Sequence, residues 1–123
     1  MANTCLCGLA KSYETCCGFL HQGNPATSAE ALMRSRYSAY VLNNLSYLRD
    51  SWHSSSRPEV IEPDTEAKWL GLSIKESRQM DETHAEVEFV ARYKIAGKAY
   101  RLHERSRFVW EQGLWWYVDG ELY

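Results

Sequence analysis

The chain has 123 residues, 45% of them hydrophobic, enough for one domain with a real core and a small appendage. A formal net charge of -2 gives no global attraction to nucleic acid or anionic lipid. No run approaches the roughly 18 apolar residues of a membrane span, and the opening MANTCLCGLAKSYETCCGFL lacks a basic start followed by an apolar stretch, so a cytoplasmic protein off the membrane is expected.

The first element is chemical. Cys5, Cys7, Cys16 and Cys17 are the only cysteines, all within thirteen residues. Two close pairs on either side of a short turn can set four thiolates around a tetrahedral ion, and zinc is the usual occupant. Two disulfides are the bland alternative. Neither adjacent Cys16 and Cys17 nor Cys5 and Cys7 is well placed to bridge, and thiols of a cytosolic chain more often bind metal or react. Redox thiols form the remaining alternative. Four protein ligands leave no open position, so such a site is structural and does not activate water. His21 is near enough in sequence to replace Cys17, and Lys11 could offset part of the thiolate charge. Leu6, Leu9 and Tyr13 are too little apolar material for a core, so this segment is expected to order around its metal. Gly8 and Gly18 read as positive-φ positions of the turns.

A linker, residues 22–26, carries turn chemistry throughout. Thr27 and Glu30 then have capping-box spacing. Ala29, Leu32, Met33, Tyr37, Tyr40 and Val41 form one apolar helical stripe, with Arg34, Ser35 and Ser38 opposite. A second helix is expected from Leu45 to about Trp52. Pro58 and Pro63 mark a loop, followed by a short helical turn near Glu66 to Trp69. Period two then takes over. Leu70, Leu72 and Ile74 alternate with polar residues, and Ala85, Val87, Phe89, Ala91, Tyr93 and Ile95 form a long one-sided strand. Ala96-Gly97-Lys98 reads as a hairpin turn into Tyr100, Leu102, Phe108 and Trp110. Gln112-Gly113 then turns the chain into Trp115-Trp116-Tyr117-Val118. Two or three helices packed on one face of an antiparallel meander make an α+β fold.

The same period places Glu104 and Ser106 on the inner face, between Leu102 and Phe108. A carboxylate there needs a partner or a wet cavity. Arg36 is the expected ion-pair partner, and Arg36, Trp52, His53, Glu104 and Ser106 form the candidate pocket. His53 and Glu104 would make an acid–base dyad if both reached it. His103, Arg105 and Arg107 fall on the outer face with Arg92 and Lys94. Glu86 and Glu88 share that face, so a solvated mixed-charge surface is favoured over a stacking platform for nucleic acid. No nucleophile elbow or phosphate-binding glycine loop is present.

Several stretches also resemble a known family. Cys5-Leu6-Cys7-Gly8, Lys11, Tyr13 and Cys16-Cys17-Gly18 resemble the SEC-C motif, the zinc knuckle at the tail of the SecA preprotein translocase ATPase. Residues 29–37, Trp52-His53, and residues 89–93, 103–108 and 115–120 resemble the YchJ family of small bacterial proteins. The resemblance implies a SEC-C segment over residues 1–22 and a nuclear transport factor 2-like domain over 25–123, its curved sheet wrapped around helices as a cone. It implies zinc as the cofactor and no established activity. Leu6, Leu9 and Ala10 stand where the motif usually has Pro, Ser and Gly, and the second, C-terminal cysteine cluster of many members has no counterpart here. The expected role is an adaptor whose knuckle contacts a protein or ribonucleoprotein partner. The alternative is a small-molecule-binding domain or enzyme using the cone with Glu104 and His53. A homodimer paired through the sheet is a third reading.

Overall fold

The computed structural model describes residues 4–61 and 66–123. After the cysteine segment come three helices, α1 (Cys17–His21), α2 (Ala29–Leu42) and α3 (Leu45–Asp50). Four strands follow, β1 (Lys68–Gln79), β2 (His84–Ile95), β3 (Lys98–Glu111) and β4 (Leu114–Leu122). The strands form one curved antiparallel meander in chain order. None of the described helices is long and apolar enough to cross a membrane.

Local chemistry accounts for the connections. Ile95 pairs with Lys98 across Ala96 and Gly97, whose φ angles are 51° and 81°. Glu111 pairs with Leu114 across Gln112 and Gly113, at 56° and 78°. Both are two-residue hairpins with positive φ at each central residue, the geometry whose twist matches that of the flanking strands. Helix α2 begins one residue later than the capping box indicated. Ser28, not Thr27, accepts the amide of Ala31 at 3.1 Å. Asn43, at φ 59°, ends it in the left-handed conformation.

Helix α3 stops at Asp50, short of Trp52, because the chain then pairs with β4. Tyr117 donates its amide to Ser51 at 2.9 Å, and His53 donates its own to Tyr117 at 2.7 Å. The helical turn expected near residues 66–69 is also corrected. Lys68 and Trp69 already open β1, and Trp69 meets Tyr37 edge-on and Tyr93 at a tilt, at centroid distances of 5.8 and 5.3 Å. The neighbouring Pro63 lies outside the described residues. One irregularity in β1 breaks the expected alternation. A register shift between Trp69 and Gly71 leaves Leu70 unpaired and 49% exposed, while Trp69, Leu72 and Ile74 pack on the core.

Ala85, Val87, Phe89 and Ala91 of β2, Phe108 of β3 and Trp115 of β4 meet Leu32, Met33 and Tyr37 of α2. This is the cone's core. Phe108→Ala should cost roughly 3–5 kcal/mol, because a fully buried ring leaves a cavity that the sheet cannot close. A urea titration followed by tryptophan fluorescence measures this, with the midpoint falling and the slope unchanged.

Candidate metal centre

The N-terminal segment is a small hairpin closed by a turn of 3-10 helix. Thr4 bridges Ser12, and the Cys5 amide donates to the Lys11 carbonyl at 2.7 Å. That pairing sets Cys5 and Cys7 beside a turn at Gly8, φ 95°. Residues 13–15 then form the 3-10 turn, which delivers Cys16 and the first residue of α1, Cys17. Gly18 does not have the positive φ expected of it. Its role is closeness, since a Cβ there would lie 2.7 Å from both the ring and the carbonyl of Tyr13.

The ligand atoms of Cys5, Cys7, Cys16 and Cys17 lie within 4.8 Å of one another, and all four thiols are free. Cys7 and Cys16 are 3.6 Å apart at sulfur. A tetrahedral ion bound at roughly 2.3 Å would separate its sulfurs by about 3.8 Å, so the set fits such an ion with small adjustments. It does not fit a disulfide, whose sulfurs are about 2.05 Å apart. The four cysteines could therefore hold a metal ion. Cys5, Cys7 and Cys17 are buried and Cys16 is half-buried.

The thiols share protons unequally. The Cys17 thiol donates to Cys7 and, against the opposing effect of burial, brings Cys7 down to about 4. The same contact, then burial, pushes Cys17 up. Burial first, and then its thiol neighbours, push Cys16 up to about 11. One thiolate thus gathers protons from the others, an arrangement a divalent cation would replace.

Three contacts moor this centre to α2. The Cys5 sulfur sits 3.9 Å from the Ser38 hydroxyl. Arg34 donates to the Cys7 carbonyl at 2.8 Å and to Glu30 at 3.0 Å. His21 donates from Nε2 to the Ser35 carbonyl at 2.8 Å, and its Nδ1 accepts the Tyr13 hydroxyl at 2.6 Å. A carbonyl can only accept, so Nε2 carries a hydrogen. With both ring nitrogens engaged, His21 is not a substitute ligand for Cys17. Lys11 contributes its backbone carbonyl, and the cation bonded to the turn is Arg34.

The expected pocket residues part company. Arg36 and Glu104 do not form an ion pair. Arg36 donates from one guanidinium nitrogen to the Leu48 carbonyl at 2.8 Å and the Ser51 hydroxyl at 2.6 Å. Its Cζ lies 4.3 Å from the ring centroid of Tyr117 and 5.0 Å from that of Trp52. Glu104 instead accepts from Ser106 and, at 3.5 Å, from Tyr117. His53 faces away from the cavity and binds Glu111 at 2.8 Å and Ser55 at 2.7 Å. The His53–Glu104 dyad does not form. Trp52 backs Arg36 without lining the cavity, whereas Arg36, Glu104 and Ser106 do line it. On the outer face Glu88 accepts from His103 at 2.7 Å and Arg105 at 2.9 Å, and Arg107 pairs with Asp119 at 2.6 Å. The mixed-charge reading of that face holds.

A family model described as the middle, NTF2-like domain of YchJ matches residues 28–120. The chain belongs to the YchJ family. Relatives of this YchJ chain include a UPF0225 protein of Cupriavidus pinatubonensis, 54% identical over 125 residues, covering 96% of this chain and 87% of the relative. A UPF0225 protein of Bordetella pertussis is 55% identical over 122 residues, covering 96% and 92%. Among solved structures, the solution structure of a SEC-C motif containing protein from Rhodopseudomonas palustris is similar at a TM-score of 0.85. It is 35% identical, and 98% of each chain is covered. A crystal structure of a SEC-C motif containing protein from Psychrobacter arcticus has a TM-score of 0.77 and 26% identity, covering 97% of this chain and 81% of that one.

Sequence reasoning about this YchJ chain missed the mooring residues Arg34, Ser35 and Ser38, which it set on a polar outer face. Their one available signal was size: two serines three apart let another segment approach the helix closely. Gly18→Ala should push Tyr13 off its seat and loosen the cysteine turn. The expected outcome is faster reaction of all four thiols with a disulfide-exchange reagent at unchanged cone stability.

Proposed function

We propose that the four cysteines bind one zinc ion, and that the knuckle so fixed is a contact module for a protein or ribonucleoprotein partner in the cytoplasm. The observation that carries this reading is four thiol sulfurs converging within 4.8 Å on a segment with little apolar material of its own. Zinc is favoured because an all-sulfur tetrahedral set suits it. Filling all four positions with protein ligands favours structure over catalysis. Two large apolar side chains near the centre, Leu6 and Phe19, are 41% and 49% exposed. Held by a metal, they would form part of a rigid apolar contact face. The SEC-C character of the structural neighbours supports the same reading.

Elemental analysis with native mass spectrometry should find one zinc per chain, and a metal-free chain with an ordered N-terminus would sink the proposal. Cys16→Ser with Cys17→Ser should abolish zinc retention while the cone keeps its unfolding transition. Proton accounting offers a separate check. Cys7 is already ionised at pH 7, whereas Cys16 and Cys17 are held protonated. Zinc uptake at pH 7 should therefore release at least two protons, read by calorimetry in buffers of different ionisation enthalpy. Because binding displaces those protons, zinc affinity should weaken as pH falls.

A further inference from the structure

Between α2 and the sheet lies a cavity of about 280 Å³ whose apolar walls include Met33, Trp69, Phe89 and Leu102. Two opposite charges line it. Arg36 is only 2% exposed, and among the described residues it has no carboxylate partner. Two of its hydrogen bonds fall on one guanidinium nitrogen and its side chain also hydrogen-bonds that of Tyr40, so the group is held in place while no carboxylate offsets its charge. A buried charge in that state is costly unless something else completes it. Glu104, on β3, also faces the cavity without an ion pair. Room for its carboxylate is built into the backbone of the adjoining strand. Any Cβ at Gly120 would overlap it. Burial, reinforced by the Glu104 charge, pushes the Tyr117 phenol up, so this ring between the two charges stays a donor.

We infer that the cone cavity binds a small zwitterion of the α-amino acid type, its carboxylate towards Arg36, its ammonium towards Glu104 and its side chain on the apolar wall. A simple anion would have to lie near Glu104, and a simple cation near Arg36. Only a molecule carrying both charges a few atoms apart meets both groups favourably. The volume sits near the lower end of ligand pockets, roughly 300–1,000 Å³. That admits a single amino acid and excludes a nucleotide. This site is separate from the cysteine centre and does not depend on the zinc proposal.

The test is calorimetric titration of the full chain with L-phenylalanine, L-leucine, 3-phenylpropionate and 2-phenylethylamine. At least one amino acid should bind tenfold or more tightly than the acid or the amine alone. Glu104→Gln should weaken that amino acid about tenfold and leave 3-phenylpropionate bound as well as before or more tightly. Leu102→Trp, which fills the cavity from its wall, should abolish binding of every probe. The proposal is overturned if neither amino acid binds, if the one-charge analogues bind as well, or if binding survives either substitution unchanged. Circular dichroism confirms that both variants are folded before titration.

Discussion

Helix α2 is covered on two sides, and the rest of the molecule follows from that constraint. One side carries Leu32, Met33 and Tyr37 into the sheet. The other side presents Ser35 and Ser38, both fully buried, to α1, α3 and the cysteine segment. Burying hydroxyls is tolerable only when each finds a partner. Ser35 donates to the Leu32 carbonyl and meets the Tyr47 hydroxyl, while Ser38 meets the Cys5 sulfur. The small side chains let the cysteine turn approach the helix closely, and their hydroxyls give it polar contacts to dock against.

Arg36 plays the corresponding role on the cone side. Two of its hydrogen bonds hold the end of α3, and its Cζ lies over Tyr117 of β4 and Trp52 of the segment beyond α3. A planar cation with several donors can join carbonyl, hydroxyl and ring faces at once, which a lysine cannot do. The helix layer and the edge of the sheet are thus tied by a group that also points charge into the cavity. The same residue organises structure and shapes a pocket where opposite charges remain apart.

The two halves of the molecule offer different chemistry. The cysteine centre brings four thiol sulfurs within 4.8 Å of one another, a set that could hold a metal ion. The cone keeps Glu104 half-open beneath a glycine and surrounded by rings. Its neighbours Ser106 and Tyr117 both donate to it, which holds a carboxylate in place without neutralising it.

Much of this was legible in the chain. Period-two alternation located β2 and β3, and glycine placement located both tight turns, because strand faces and positive φ angles are properties of local residues. Cysteine spacing pointed to the tetrahedral set for the same reason. Other features depended on residues far apart in sequence. The bulge that ejects Leu70 arises from pairing with β2. The early end of α3 arises from hydrogen bonds to Tyr117. Arg36 does not pair with Glu104 because its guanidinium is engaged by Leu48 of α3, by Ser51 and Trp52 just beyond it, and by Tyr117 of β4. His53 likewise turned to Glu111, on the β3 side of the final hairpin. Residue type and spacing alone determined most of the elements, the converging cysteine set and the inward face of Glu104. Only the tertiary structure decided which charges meet, since that depends on which donors and acceptors folding brings within about 3 Å.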